Sequence, residues 1–125
     1  MKQAILLILL VVTGTASAQS DPEATAETKN LFHNMLALQQ KGLMFGHQDD
    51  LAYGNGWYAE EGRSDVKDVC GDYPGIYGWE LGHLEQGHVY SLDSVYFDRI
   101  RNWIIKVYER GGVNTISWHG RNPLT

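Results

Sequence analysis

Three short apolar runs, each led by a stretch with helical periodicity, constrain this chain more than any other feature. The runs are residues 43–47, 75–80 and 113–118. Ahead of the first, Leu31, Phe32, Met35, Leu36 and Leu38 recur at helical spacing, with Thr28 or Asn30 as the expected N-cap and Lys41-Gly42 as the stop. Ahead of the second, Ser64 is placed to cap a brief helix through Val69 that Gly71 ends. Ahead of the third, Asp93 is the expected cap of an amphipathic helix whose apolar face is Tyr96, Ile100, Trp103, Ile104, Val107 and Tyr108, closed by Gly111-Gly112. The segment 48–63 reads as a loop. Helices alternating with strands predict βαβ crossovers and a parallel sheet. Such a sheet needs cover on both faces, and three units supply too little. The fold class expected is α/β, a partial (β/α)8 TIM barrel comprising roughly the first three β/α units of a fold that typically takes about 250 residues, with a complete small three-layer domain as the alternative.

The N-terminus belongs to a different part of the chain's life. Lys2 precedes an apolar stretch over residues 4–12, and Ala16-Ser17-Ala18 has the small-x-small pattern of a signal peptidase site. The stretch is shorter than the roughly 20 residues that cross a bilayer, so it reads as a cleaved signal peptide. The expected organisation is therefore a signal peptide over 1–18, a flexible mature N-terminus over 19–27 and a truncated barrel domain over 28–125. No cysteine follows the apolar stretch to carry a lipid, so a secreted or periplasmic location is expected, with no membrane association after cleavage. The only cysteine, Cys70, has no partner for an internal disulfide and is expected to be a small buried helix residue. A formal charge of −5 without a Lys/Arg cluster offers nothing to nucleic acid.

Each apolar run ends in side chains that packing alone does not require. The first ends in His47-Gln48, the second in Trp79-Glu80 and the third in Trp118-His119. In a (β/α)8 barrel the C-terminal strand ends form the active-site face, so these residues converge on one cleft. Each has a plainer alternative. His47 fits a satisfied core histidine, Trp79 a cap on the barrel core, Glu80 a partner for a neighbouring cation or helix terminus, and Trp118 helix–sheet packing. His119 is the strongest candidate, since an imidazole there can exchange a hydrogen bond with a sugar hydroxyl or orient a carboxylate. With four Trp and seven Tyr in the chain, Trp118 is expected to offer a flat apolar face to a pyranose ring.

His83 and His88 flank a short acidic loop, but their spacing of five with Gly87 between them does not match the helical i, i+4 metal pair. No metal or cofactor is expected, and no phosphate-cradling loop, nucleophile elbow or CxxC pair is present.

Residues 42–48 and 73–82, followed by Arg110-Gly111-Gly112-Val113 and Ser117-Trp118-His119 with Asn122-Pro123, resemble the opening motifs of glycoside hydrolase family 26. The resemblance runs from about Thr28 to the end of the chain. It implies a (β/α)8 barrel and, most often, retaining endo-β-1,4-mannanase activity on mannan, glucomannan or galactomannan through two glutamates. Those glutamates fall at the fourth and seventh strands, so no catalytic residue is expected within these 125 residues. The resemblance gives His119 a place in the sugar site beside the cleaved bond, and gives His47 and Trp79-Glu80 cleft-supporting places. Glu80 stands where the family often has Asp. The expected partner is β-mannan polysaccharide or oligosaccharide, bound by a full-length protein that is monomeric. The alternatives are a related barrel glycosidase acting on another β-glycan, and an exported carbohydrate-binding protein without catalysis.

Overall fold

The computed structural model of the chain describes residues 21–122. It forms two compact units, Met1–Gly42 and Leu43–Thr125. The expected signal peptide over 1–18 lies outside the described residues. Among the described residues no helix is long and apolar enough to cross a membrane.

Among the described residues of the first unit one helix, α1, spans Ala26–Gln39. It starts earlier than the apolar spacing indicates, because Thr25 rather than Thr28 or Asn30 is the N-cap, its hydroxyl accepting from the Thr28 N–H at 3.3 Å. Ala26 and Glu27, expected in an irregular mature N-terminus, are thereby helical. The helix ends through Gln40, and the Lys41 and Gly42 N–H groups both turn back to the Leu38 carbonyl.

The second unit carries strands β1 (Gly46–Gln48), β2 (Tyr53–Gly54), β3 (Trp57–Tyr58), β4 (Ile76–Glu80) and β5 (Val113–Ser117). Its helices are α2 (Asp65–Cys70) and α3 (Phe97–Glu109). β1, β4 and β5 form a parallel sheet in that order, as the alternating pattern predicts. Register is set by Gly46 beside Ile76 and by Glu80 beside Ser117. Register pairing with β4 begins at Gly46, and ahead of it only the Phe45 carbonyl joins in, accepting from the Gly75 and Ile76 N–H groups. Leu43 and Phe45, expected in a buried strand, are exposed.

The helices follow their local signals closely in one case and loosely in the other. Ser64 caps α2 by accepting from the Lys67 N–H at 3.0 Å, and Gly71 closes it in the left-handed conformation at φ +82°. Cys70 lies on this helix but is exposed, not buried. α3 begins after Tyr96 instead of at Asp93. The preceding turn is held instead by Ser91, whose Oγ accepts from the Val95 N–H at 3.3 Å, and by a bridge between Tyr90 and Tyr96. Its buried face is Ile100, Trp103 and Val107, one turn apart. Tyr96 and Tyr108, counted on that face by spacing, are exposed.

The core lies between α3 and one face of the sheet. Tyr77 and Trp79 of β4 stack nearly parallel, and Trp103 of α3 stacks on Trp79 at a ring separation of 6.1 Å. Each fully buried apolar side chain contributes on the order of 1.5–3 kcal/mol, so this aromatic stack dominates the packing. The segment 48–63, expected to be a surface loop, contributes as much to the interior. Asp49, Asp50, Leu51, Ala52 and Trp57 are buried, and β2 and β3 form a hairpin across Asn55-Gly56. The Asn-Gly pair is a hairpin signal.

Candidate functional site

Parallel pairing brings the C-terminal ends of β1, β4 and β5 to one edge of the sheet. Side chains alternate between faces along each strand, and laterally paired residues share a face. Tyr77 and Trp79 point to the α3 side. Gly78 and Glu80 therefore point to the opposite side, together with their register partners Gln48 and Ser117.

That parity sorts the expected site residues. His47 is paired with Tyr77 and so faces the α3 side, where its Nδ1 lies 3.8 Å from Asp50 Oδ1. Trp79 is fully buried in the aromatic stack, its indole Nε1 donating to Asn114 Oδ1 at 2.7 Å. Trp79 therefore has no exposed surface, and His47 lies by register on the face opposite Glu80. Glu80, Trp118 and His119 do come together, around the end of β5.

Glu80 is the centre of the arrangement. Only 2% of it is exposed, and its carboxylate accepts four hydrogen bonds. Oε1 takes the Gly82 N–H at 2.5 Å and the His119 N–H at 3.0 Å. Oε2 takes the Ser117 hydroxyl at 2.9 Å and the His119 imidazole Nδ1 at 2.5 Å. Burial by itself would raise the pKa of this acid. The donors from His119, Gly82 and Ser117 outweigh it and hold the carboxyl down at about 2. Gly82 is required by distance, since a Cβ there would stand 2.8 Å from Glu80 Oε1 and 3.1 Å from the His119 carbonyl.

The imidazole of His119 is fixed at one nitrogen and open at the other. Nδ1 donates to the ionised Glu80, so Nε2 is the atom turned outward on a side chain that is 71% exposed. Trp118 is 62% exposed, and its Nε1 donates to Glu85 Oε2 at 3.1 Å. On consecutive residues after β5, Trp118 offers an exposed indole and His119 an outward imidazole nitrogen. That combination suits a ring with one apolar face and hydroxyls at its edge.

Two acids that sequence reasoning missed lie at the end of β1. Asp49 and Asp50 are both buried. Asp50 Oδ1 accepts from the Ser64 hydroxyl at 2.9 Å. Asp49 sits at φ +50° and accepts from the Tyr53 hydroxyl at 3.5 Å. Burial first, then the charges of Asp93 and Glu80, push the Asp49 carboxyl up to about 7 against the hydrogen bonds from Tyr53 and Gln48. Their signal in the sequence was position, two acids directly after a strand end, but polarity made them read as surface. Away from this edge, the His83 and His88 rings lie 4.9 Å apart. No group of three or more metal-ligating side chains occurs among the described residues.

A family model described as Glycosyl hydrolase family 26 matches residues 20–125. A mannan endo-1,4-beta-mannosidase of Bifidobacterium adolescentis is 30% identical over 112 residues, covering 85% of this chain and 11% of that protein. Among solved structures, a family 26 beta-mannanase from Bacteroides ovatus is 50% identical with a TM-score of 0.78, over 82% of this chain and 30% of that one. An endo-beta-1,4-mannanase double mutant from Cellulomonas fimi is 33% identical with a TM-score of 0.65, over 82% of this chain and 24% of that one. The chain thus spans less than a third of the length of each of these relatives.

Proposed function

The chain belongs to glycosyl hydrolase family 26, and from that premise we propose that it is the N-terminal part of an exported, retaining endo-β-1,4-mannanase. Its parallel β1–β4–β5 sheet is the start of a (β/α)8 barrel, and the strand-end edge is one wall of the mannan cleft. The observation that carries this reading is the Glu80–His119 pair, a buried carboxylate holding an exposed imidazole at the C-terminal end of β5. Barrel enzymes bind substrate at that face.

In this reading His119 Nε2 meets a sugar hydroxyl next to the cleaved bond and Trp118 lies against a pyranose ring. Glu80 touches no sugar; it orients His119. Trp79 and His47 support the wall from the α3 side. The two carboxyls that a retaining glycosidase places about 5–5.5 Å apart are supplied outside these 125 residues. Glu80 does not serve as one of them, because all its acceptor positions are engaged within the fold. The leader pattern of residues 1–18 supports export to the periplasm or beyond, and the working protein is a monomer acting on mannan.

Assaying reducing-end release from β-1,4-mannan tests the reading, with the 125-residue chain alone and with a protein that continues it through the remaining barrel. Hydrolysis with retained anomeric configuration by the longer protein, and none by the chain alone, is expected. Hydrolysis by the chain alone would overturn the placement of the catalytic carboxyls. Glycan binding without hydrolysis by the longer protein would favour a carbohydrate-binding role instead.

A further inference from the structure

Glu80 is not the only carboxylate that grips the segment after β5. Glu85, on the 3-10 turn Leu84–Gln86, accepts from the Trp118 indole N–H through Oε2 and from the Arg121 backbone N–H through Oε1, both at 3.1 Å. The two acids divide the segment between them. Glu80 holds Ser117 and His119, and Glu85 holds Trp118 and Arg121.

The turn that carries Glu85 is itself closed. His83 and Gly87 flank it at φ +80° and +74°. Its backbone is tied by Leu84 N–H to the Leu81 carbonyl at 3.1 Å and Gly87 N–H to the Leu84 carbonyl at 3.0 Å. Leu81 N–H in turn donates to the Ser117 carbonyl at 2.9 Å, joining the root of the turn to β5. Glu85 is itself exposed, and its carboxylate is placed by the closed turn beneath it and by the two N–H groups it accepts. Trp118 needs such a tether, because an indole that is 62% exposed has little packing to select its rotamer. Ordering a platform before the ligand arrives lowers the entropy lost on binding.

We propose that Glu85 is the positioning residue that sets the Trp118 ring as a preformed platform for a sugar ring of the β-mannan chain. The platform role rests on the mannan-cleft reading above; the tether rests on the hydrogen bonds alone. Glu85 is not a catalytic residue in this scheme, since it reaches the sugar only through the indole.

The test follows the Trp118 indole N–H by NMR in the intact protein, assigned by its loss in Trp118→Phe. Glu85→Ala is expected to shift that resonance upfield and to speed its exchange with water. Glu85→Gln keeps an acceptor oxygen and is expected to restore much of both. Titration with mannopentaose is expected to move the same resonance in the wild type. Binding should weaken about fivefold in Glu85→Ala, the effect of one modest hydrogen bond, and less in Glu85→Gln. An indole resonance unmoved by Glu85→Ala would overturn the tether, whatever the sugar does. A wild-type resonance that shifts in Glu85→Ala yet ignores saturating mannopentaose would overturn the platform role and the cleft reading beneath it, leaving the tether intact.

Discussion

Glu80 and His119 lie 39 residues apart in sequence and meet at 2.5 Å between Oε2 and Nδ1. One partner is buried and the other largely exposed, their side chains being 2% and 71% accessible. A buried charge is tolerated only when its hydrogen-bonding capacity is filled, and here three of the four donors come from the segment that carries the exposed imidazole, the fourth being the Gly82 N–H. The requirement to satisfy Glu80 therefore fixes where His119 points.

Removing that carboxylate is expected to cost stability as well as geometry. Glu80→Ala leaves the Gly82 and His119 N–H groups without their acceptor, while the Ser117 hydroxyl keeps only its longer bond to the Trp79 carbonyl at 3.2 Å. Stranding buried partners of this kind costs about 3 kcal/mol. Urea unfolding monitored by tryptophan fluorescence should show the midpoint fall by the corresponding amount, with an unchanged slope.

Acid should act through the same residue. The folded-state pKa of Glu80, about 2, lies below the ordinary glutamate value of about 4.3. Its contribution is thus present above about pH 4.3 and lost as pH falls through that value toward 2. Stability measured from pH 6 to pH 2 should decline in the wild type. The Glu80→Gln variant, with nothing to protonate there, should lose less over the same range.

Asp49 should work in the opposite direction. Burial raises its folded-state pKa to about 7, so the folded state holds a proton that the unfolded chain releases near 3.9. Stability from this group is present below about pH 3.9 and is lost as pH rises from there through 7. Asp49→Asn copies the protonated shape and accepts the left-handed backbone at φ +50°. It is expected to be more stable than the wild type by about 4 kcal/mol at pH 8, with the gap closing toward pH 4. Thermal unfolding across that range measures it.

Gly82 is expected to reject any side chain. A Cβ would press on Glu80 Oε1 and on the His119 carbonyl at once, and neither is the loose end of a flexible chain. Gly82→Ala should lower stability by about 1–3 kcal/mol and disturb the His119 imidazole resonances, whereas Gly42→Ala, with open space around it and no left-handed backbone, should leave those resonances in place.

What could be read from the sequence was what local chemistry decides. Ser64 and Gly71 bound α2 because a hydroxyl cap and a left-handed glycine act within a few residues of themselves. The period of α3 exposed Ile100, Trp103 and Val107 as its buried face for the same reason. Longer-range decisions were hidden. Asp49 and Asp50 are polar, and only the folded chain shows Tyr53 and Ser64 arriving to receive them. Leu43 and Phe45 are apolar, yet the ladder starts beyond them at Gly46. At the site, strand ends placed Glu80 and His119 on one edge, but the parallel register that joins Glu80 to Ser117 is what makes them partners. The same register sends His47 to the other face, which strand ends alone did not reveal.

In the proposed function Glu80 serves the mannan site through His119. A double-mutant cycle on kcat/KM for β-1,4-mannan, measured in a protein that carries this chain within a whole barrel, tests it most directly. His119→Ala is expected to lower kcat/KM strongly, Glu80→Gln to lower it less, and the double variant to be no worse than His119→Ala alone. Losses that simply add in the double variant, or full activity in His119→Ala, would contradict it.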